Sequence, residues 1–267
     1  MKNLEKHIRE RRSVRTFNQR VLTKEDYETL CTFIKKVDNP FGLVVEFCFI
    51  ENMNCPVVVG TELYVGAKVK NSPYLNEAFG YSFEKFVLYA QSLGIGTVWI
   101  GGTMDRTAFE KAMNLKDDEI MPCISPVGYP SEKMSIREMM MRKGVKADER
   151  KSFEEIVYLN DFEHPLNPDD AGDLFLPLEM VRLAPSAVNK QPWRMLIQNH
   201  FVHFYLERSK NFGGGKIDMQ KIDLGIALCH FEIMANDLGI STELIIEKPD
   251  VYAKKELEYI ASYKLNG

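Results

Sequence analysis

The sequence predicts an α+β fold made of two pseudo-symmetric halves, each with a small sheet packed by helices around one buried helix. Three observations lead there. Segments 145 residues apart repeat one another, a long helix in each half is apolar on nearly every face, and β-rich runs follow one another in pairs. Strands in succession are unlike the strict strand–helix alternation of a doubly wound parallel sheet.

The repeat comes first because a missed duplication miscalls the architecture. Phe79-Gly80-Tyr81, followed by Phe86, Ala90, Leu93-Gly94-Ile95 and Thr97, returns as Leu224-Gly225-Ile226, Phe231, Ala235, Leu238-Gly239-Ile240 and Thr242. Earlier in each half, Val21 to Asp26 parallels Pro165 to Asp170 at an offset of 144. Both hexamers read as helix starts: Thr23 with Asp26 is a capping box whose acid is shortened, and Asn167-Pro168 puts a good N-cap before a proline at the first helical position. The helices they open run over 27–36 and 171–183. Longer helices follow over about 76–93 and 219–238, with Phe79, Phe83, Phe86 and Leu88, and Leu224, Leu228, Phe231 and Met234, spread around the circumference. A helix apolar all round is buried, and Gly94 and Gly239 read as its C-terminal caps. Strands are expected over 43–50, 56–65, 96–100, 120–129, 193–198, 201–207, 241–247 and 257–265. The polar stretch from Lys143 to Glu155 separates a first half, 1–148, from a second, 149–267. A fused duplication often reproduces the two-fold contact of a homodimer, so the two buried helices are expected to meet across a pseudo-dyad in a monomeric chain.

Composition narrows the function. With 34 Lys and Arg against 38 Asp and Glu, the net charge of −4 gives no footprint for nucleic acid. No apolar run has the roughly 20 residues of a membrane helix, and the charged amino-terminal segment, with Glu5 and Glu10, resembles neither a signal nor a transit peptide. Five scattered cysteines without a C-x-x-C pair argue against a disulfide framework or a cysteine metal site and point to a reducing cytoplasm.

Three segments could carry chemistry. In Arg11-Arg12-Ser13-Val14-Arg15-Thr16-Phe17, helical spacing puts Arg11 and Arg15 on one face and extended spacing adds Ser13. Either geometry makes an anion site, because guanidinium forks bind phosphate oxygens in paired, charge-assisted hydrogen bonds; a solvated basic helix end has the same composition. Leu93 to Gly102 is not a dinucleotide fingerprint, since Trp99 stands where the third glycine should fall. Gly101-Gly102 at its end lets a planar ligand approach the backbone, although an ordinary turn needs the same residues. Leu183-Ala184-Pro185-Ser186-Ala187-Val188-Asn189-Lys190-Gln191-Pro192-Trp193 is a stiff loop rich in donors and acceptors, more than a plain connection requires. The first half has only Val37 to Gly42 in its place. His200 and His203 are expected on opposite faces of one strand, which makes a shared metal site improbable. Gly213-Gly214-Gly215-Lys216 lacks P-loop spacing, and Met139-Met140-Met141 reads either as core filler or as cover over a site.

Together these segments resemble the nitroreductase family, whose subunits carry R-R-S-x-R-x-F/Y, then A-P-S-x-x-N-x-Q-P-W, then L-G-x-G-x-x-W-I-G-G. Arg11 to Phe17, Leu183 to Trp193 and Leu93 to Gly102 match all three, and Gly128-Tyr129-Pro130-Ser131-Glu132-Lys133 resembles the family's G-Y-P-x-E-K. The arginine and Trp-Ile-Gly-Gly motifs lie in the first half and the Pro-Ser loop in the second. In the family the flavin lies at a homodimer interface, so the resemblance implies a fused branch with one complete site and a second one lost.

By position, it implies that Arg11, Arg12, Ser13 and Arg15 hold the FMN phosphate and ribityl chain. Pro185, Ser186, Asn189 and Gln191 would lie along the isoalloxazine ring, and the N–H groups of Ile100 and Gly101, with Gly102, would face N5. Arg150 would be the late basic residue of the phosphate site. The implied activity passes hydride from NAD(P)H through flavin N5 to a small-molecule acceptor, a nitroaromatic, quinone or similar compound. Both half-reactions use one pocket and need no side-chain acid or base. Another flavin reaction on the same fold, a flavin-binding module without turnover and a scaffold without cofactor are the alternatives.

Overall fold

The computed structural model describes residues 2–210, 212, 215–251 and 256–266. Its internal contacts divide the chain into two compact units, Met1–Ala147 and Asp148–Gly267.

The first unit opens with α1 (Leu4–Glu10) and α2 (Lys24–Ile34). Thr23 caps α2 by accepting the Asp26 N–H at 3.1 Å. The shortened acid does not return to the Thr23 N–H. That N–H donates to the Tyr129 hydroxyl at 3.1 Å, and the hydroxyl in turn donates to Asp26, so a distant tyrosine completes the capping box. The sheet is antiparallel: β1 (Val45–Ile50) pairs one edge of β2 (Tyr64–Lys70), and β3 (Glu119–Ile120) and β4 (Ile124–Pro126) share its other edge. Against it packs α3 (Leu75–Ser92), followed by α4 (Arg106–Ala112) and α5 (Ile136–Gly144).

In the second unit, β5 (Val157–Leu159) and α6 (Phe175–Leu183) precede β6 (Trp193–Gln198), β7 (Phe201–Glu207), α7 (Met219–Asp237), β8 (Ser241–Ile245) and β9 (Leu257–Asn266). The sheet order is β5-β6-β7-β9-β8, with β5 parallel to β6 and the other pairs antiparallel.

The long helices are buried around most of their girth, as their composition requires, from Phe79 through Phe86 to Ala90 in α3 and from Leu224 through Phe231 to Ala235 in α7. Both end in one closing motif. Gly94 and Gly239 take φ of 72° and 80°, and the next residue reaches back to the carbonyl of Ala90 (3.0 Å) or Ala235 (2.9 Å).

Four sequence expectations are corrected. The strand expected over 56–65 forms only from Tyr64. Pro56 has no N–H and Gly60 turns the chain at φ 89°. Lys68, buried in β2 with its Nζ 2.9 Å from Glu119 in β3, disguised the true strand. The stretch 96–100 forms isolated bridges, Gly96 to Gly128 and Ile100 to Ile124, because it also takes a parallel bridge from Ser13 to Thr97. The run 120–129 breaks into β3, β4 and a bridge. The helix expected from Ala171 begins at Phe175: Asn167 does cap its turn, accepting the Asp169 N–H at 3.0 Å, but Gly172 at φ 53° leaves two short 3₁₀ turns before the α-helix. Gly213 and Gly214 lie outside the described residues. Among those described, no helix is long and apolar enough to cross a membrane, no cluster could hold a metal, and all five cysteines are free.

Candidate functional site

The arginine segment is extended, which decides between its two possible geometries. Arg11 leaves α1 at φ −58°, ψ 128°. From there the chain is clamped residue by residue: the Val14 N–H donates to the Thr97 carbonyl (2.9 Å), the Phe17 N–H to Val59 (2.8 Å), and the N–H groups of Val59 and Ser131 to Arg15 and Thr16 (2.9 and 3.0 Å). Two glycines make the approach possible. A Cβ on Gly60 would stand 2.3 Å from the Phe17 carbonyl oxygen, and one on Gly96 would stand 2.9 Å from Val14 Cβ. Extended spacing then sets Arg11, Ser13 and Arg15 on one side.

Two donors on that side are unsatisfied. Arg11 Nε and Arg15 Nε are buried without a hydrogen-bond partner. Burial pushes both guanidinium groups below their ordinary pKa, the positive charge of Arg142 adds to the push, and Glu84 and Glu138 oppose it at Arg11 and Arg15 respectively. Cations drawn together with unused donors in a partly dry setting are what a phosphate group satisfies. Arg12 forms an ion pair with Glu138, its Nη1 lying 3.6 Å from Oε1, too far for a hydrogen bond, so these two buried atoms also have no hydrogen-bond partner.

Sequence reasoning missed Glu138, Arg142 and Glu84. Glu138, 1% exposed, closes Ser135-x-x-Glu138, a spacing that reads as a capping box; Ser135 does accept its N–H at 3.2 Å. Its carboxylate, however, accepts from the Arg15 N–H (3.2 Å) and the Thr16 hydroxyl (2.7 Å), so α5 holds the arginine segment from behind. Buried Glu84 of α3 accepts from Trp99 Nε1 at 3.0 Å and faces Arg11, which couples the Trp-Ile-Gly-Gly loop to that segment.

In this loop the Ile100 N–H, expected to face a ligand, donates to the Ile124 carbonyl at 2.9 Å; the bridge to β4 takes it. The Gly101 carbonyl accepts from Arg106 at 2.9 Å. Neither Gly101 nor Gly102 has positive φ, and a Cβ on Gly102 would meet nothing within 4 Å, so the fold alone does not require glycine at 102.

The Pro-Ser loop is strained. Val188 (φ 43°), Asn189 (φ 56°) and Gln191 (φ 49°) are left-handed, which for a β-branched valine costs about 1–3 kcal/mol. Its own polar groups hold it so. Ser186 Oγ accepts the Gln191 N–H (2.8 Å), and the Gln191 amide accepts from the Lys151 N–H (2.9 Å) and donates to the Asn189 carbonyl (3.3 Å). Asn189 Nδ2 donates to the Glu149 carbonyl (3.0 Å), and Arg150 donates to Asn189 Oδ1 (3.4 Å) and the Leu183 carbonyl (3.3 Å). The sequence-predicted Ser186, Asn189, Gln191 and Arg150 are thus brought together, and their side chains build the loop. Pro185 stiffens its entrance.

Other candidates resolve simply. His203 is buried on Ser262 Oγ at 2.6 Å, whereas His200 sits exposed in a turn outside the strands, so the two do not share one. Met139 and Met140 are exposed on α5, which removes the core-filler reading for them.

A protein-family model described as "Putative TM nitroreductase" matches residues 3–235. A "putative nitroreductase" of Thermotoga maritima has a similar structure, with 21% identity over 99% of this chain and 94% of that one and a TM-score of 0.65. An "NADH dehydrogenase/NAD(P)H nitroreductase" of Bacteroides thetaiotaomicron matches 51% of this chain and 90% of its own at 18% identity and TM-score 0.44. A "putative nitroreductase" of Desulfovibrio desulfuricans in complex with FMN matches 52% of this chain and 95% of its own at 17% identity and TM-score 0.41. No curated protein matches. With the family match running through most of both units, the chain belongs to the nitroreductase family.

Proposed function

We propose that this chain is an FMN-dependent oxidoreductase that passes reducing equivalents from NAD(P)H to a nitroaromatic, quinone or similar acceptor. The observation that carries the reading is the pair of buried, unpartnered Nε atoms of Arg11 and Arg15 on a rigid extended segment beside Ser13. Solvent-facing structural arginines have water for their donors, whereas buried ones need a partner. FMN would supply hydride acceptance and release at N5.

The chain's own residues bind and orient. Arg11, Ser13 and Arg15 would hold the phosphate, with Arg142 adding positive field, while Glu138 fixes the segment and pairs with Arg12. Gly101 and Gly102 would give the ring a bare backbone to lie against, and within the second unit the Pro185–Gln191 loop is already set by its own hydrogen bonds.

The test is steady-state NAD(P)H oxidation by the FMN-loaded chain with a nitroaromatic and a quinone. Acceptor-dependent turnover that vanishes in Arg11→Ala/Arg15→Ala is expected. Tight FMN binding without turnover on any acceptor would overturn the enzyme reading in favour of a flavin-binding module.

A further inference from the structure

Asp223, in the first turns of α7, is 2% exposed. Its Oδ1 accepts the Ala187 N–H at 2.9 Å, and its Oδ2 is buried with no hydrogen-bond partner. Ala187 begins the strained turn that carries Val188 and Asn189. The carboxyl is therefore the tie between a core helix and the most strained backbone of the second unit.

The surroundings do not compensate a charge there. Lys221 on the same helix is paired with Glu258 (2.9 Å). Arg208 takes Asp218 (2.8 Å), and Arg150, the cation bonded to the turn, is directed onto Asn189 and the Leu183 carbonyl. His230 on α7 has its Nδ1 on the Met180 carbonyl of α6 (2.9 Å). Among the described residues, the charged group whose field reaches Asp223 is Asp218, itself an acid. A buried carboxylate with one N–H donor and no cation is unfavourable by more than one hydrogen bond returns; accordingly, burial raises its pKa well above the ordinary carboxylate range, and Asp218 raises it further against the Ala187 hydrogen bond.

We propose that Asp223 is a positioning residue of the flavin site: as a neutral acid it holds the Pro185–Gln191 loop in its strained form through the Ala187 N–H. The consequence for flavin rests on the reading above, but the loop anchor can be tested without it. A carboxyl protonated in the folded chain and ionised in the unfolded one makes the folded state bind the extra proton, so stability falls as pH rises above the unfolded value and levels off above the folded one. Asp223→Asn copies the neutral acid and removes that dependence.

The experiment follows the thermal midpoint of the chain without added flavin, wild type against Asp223→Asn, from about pH 5 to about pH 9. The advantage of the Asn variant is expected to widen steadily with pH; a constant difference across that range would overturn the proposal. FMN affinity is then titrated over the same range. Relative to Asp223→Asn, wild type should weaken with rising pH, and Asp223→Leu, which cannot accept the Ala187 N–H, should bind about tenfold more weakly at every pH. Equal affinity in all three chains would show that the tie does not position the site. Wild type failing to bind FMN would overturn the flavin reading and leave the anchor to be judged by the stability series.

Discussion

The arginine segment and the Pro-Ser loop treat their polar atoms in opposite ways. The first is held by its backbone and by residues behind it, and Arg11 and Arg15 keep buried donors that nothing in the fold uses. The second is held by its own side chains: Ser186 and Gln191 satisfy the Gln191 N–H and the Asn189 carbonyl of the left-handed backbone, and Asn189 ties the loop to the Glu149 carbonyl. On the proposed reading, the segment that keeps unused donors serves a charged ligand, whereas the one that consumes them fixes a shape. The loop at the corresponding place in the first half makes the same point. There Asn39 bonds Leu43 and Ser82, and only Gly42 is left-handed between Val37 and Leu43, so the loop turns without storing strain.

This contrast can be broken at several points. The largest effect belongs to Arg11→Ala/Arg15→Ala, which should weaken FMN binding by about 100-fold or more, each charge-assisted contact being worth about 1.5–3 kcal/mol. Its thermal midpoint should not fall, since two desolvated cations are removed. Fluorescence titration and calorimetry together check it, and a matching loss of stability would make the arginines structural.

Next comes Gly60→Ala, which forces a Cβ against the Phe17 carbonyl at positive φ and should cost about 3 kcal/mol in urea unfolding. Wild-type stability there would mean that the clamp is looser than described. In the Pro-Ser loop, Asn189→Ala should lose about 1–2 kcal/mol by orphaning its partners, and Val188→Gly should gain about 1 kcal/mol by relieving strain. Should Val188→Gly destabilise the chain instead, the loop is not strained in solution. The smallest effect is at Gly102→Ala: stability within about 0.5 kcal/mol of wild type, because the new Cβ meets nothing, but weaker FMN binding. Unchanged binding would remove the flavin from that position.

Local signals in the sequence were enough for the features set by neighbours along the chain. The repeat gave both buried helices and their glycine caps, Thr23 and Asn167 cap as their types require, and β6 and β7 fall where alternation puts them. Long-range pairing was not legible. Lys68 reads as solvent-facing until Glu119 from a distant strand lies beside it, and Glu138 reads as a helix cap until the fold brings it to Arg15 and Thr16. The amides of Asn189 and Gln191 looked like ligand groups because their backbone angles, which dictate their hydrogen bonds, are invisible in composition. Arg142 gave no signal beyond being one of several cations in a polar stretch.

The central claim is that the unused donors of Arg11 and Arg15 await a flavin phosphate, and the visible absorption spectrum tests it most directly. Purified chain is saturated with FMN, freed of excess by filtration and quantified. The account predicts flavin bands near one equivalent per chain in wild type and none in Arg11→Ala/Arg15→Ala; a colourless wild type, or a double variant that keeps its flavin, would contradict it.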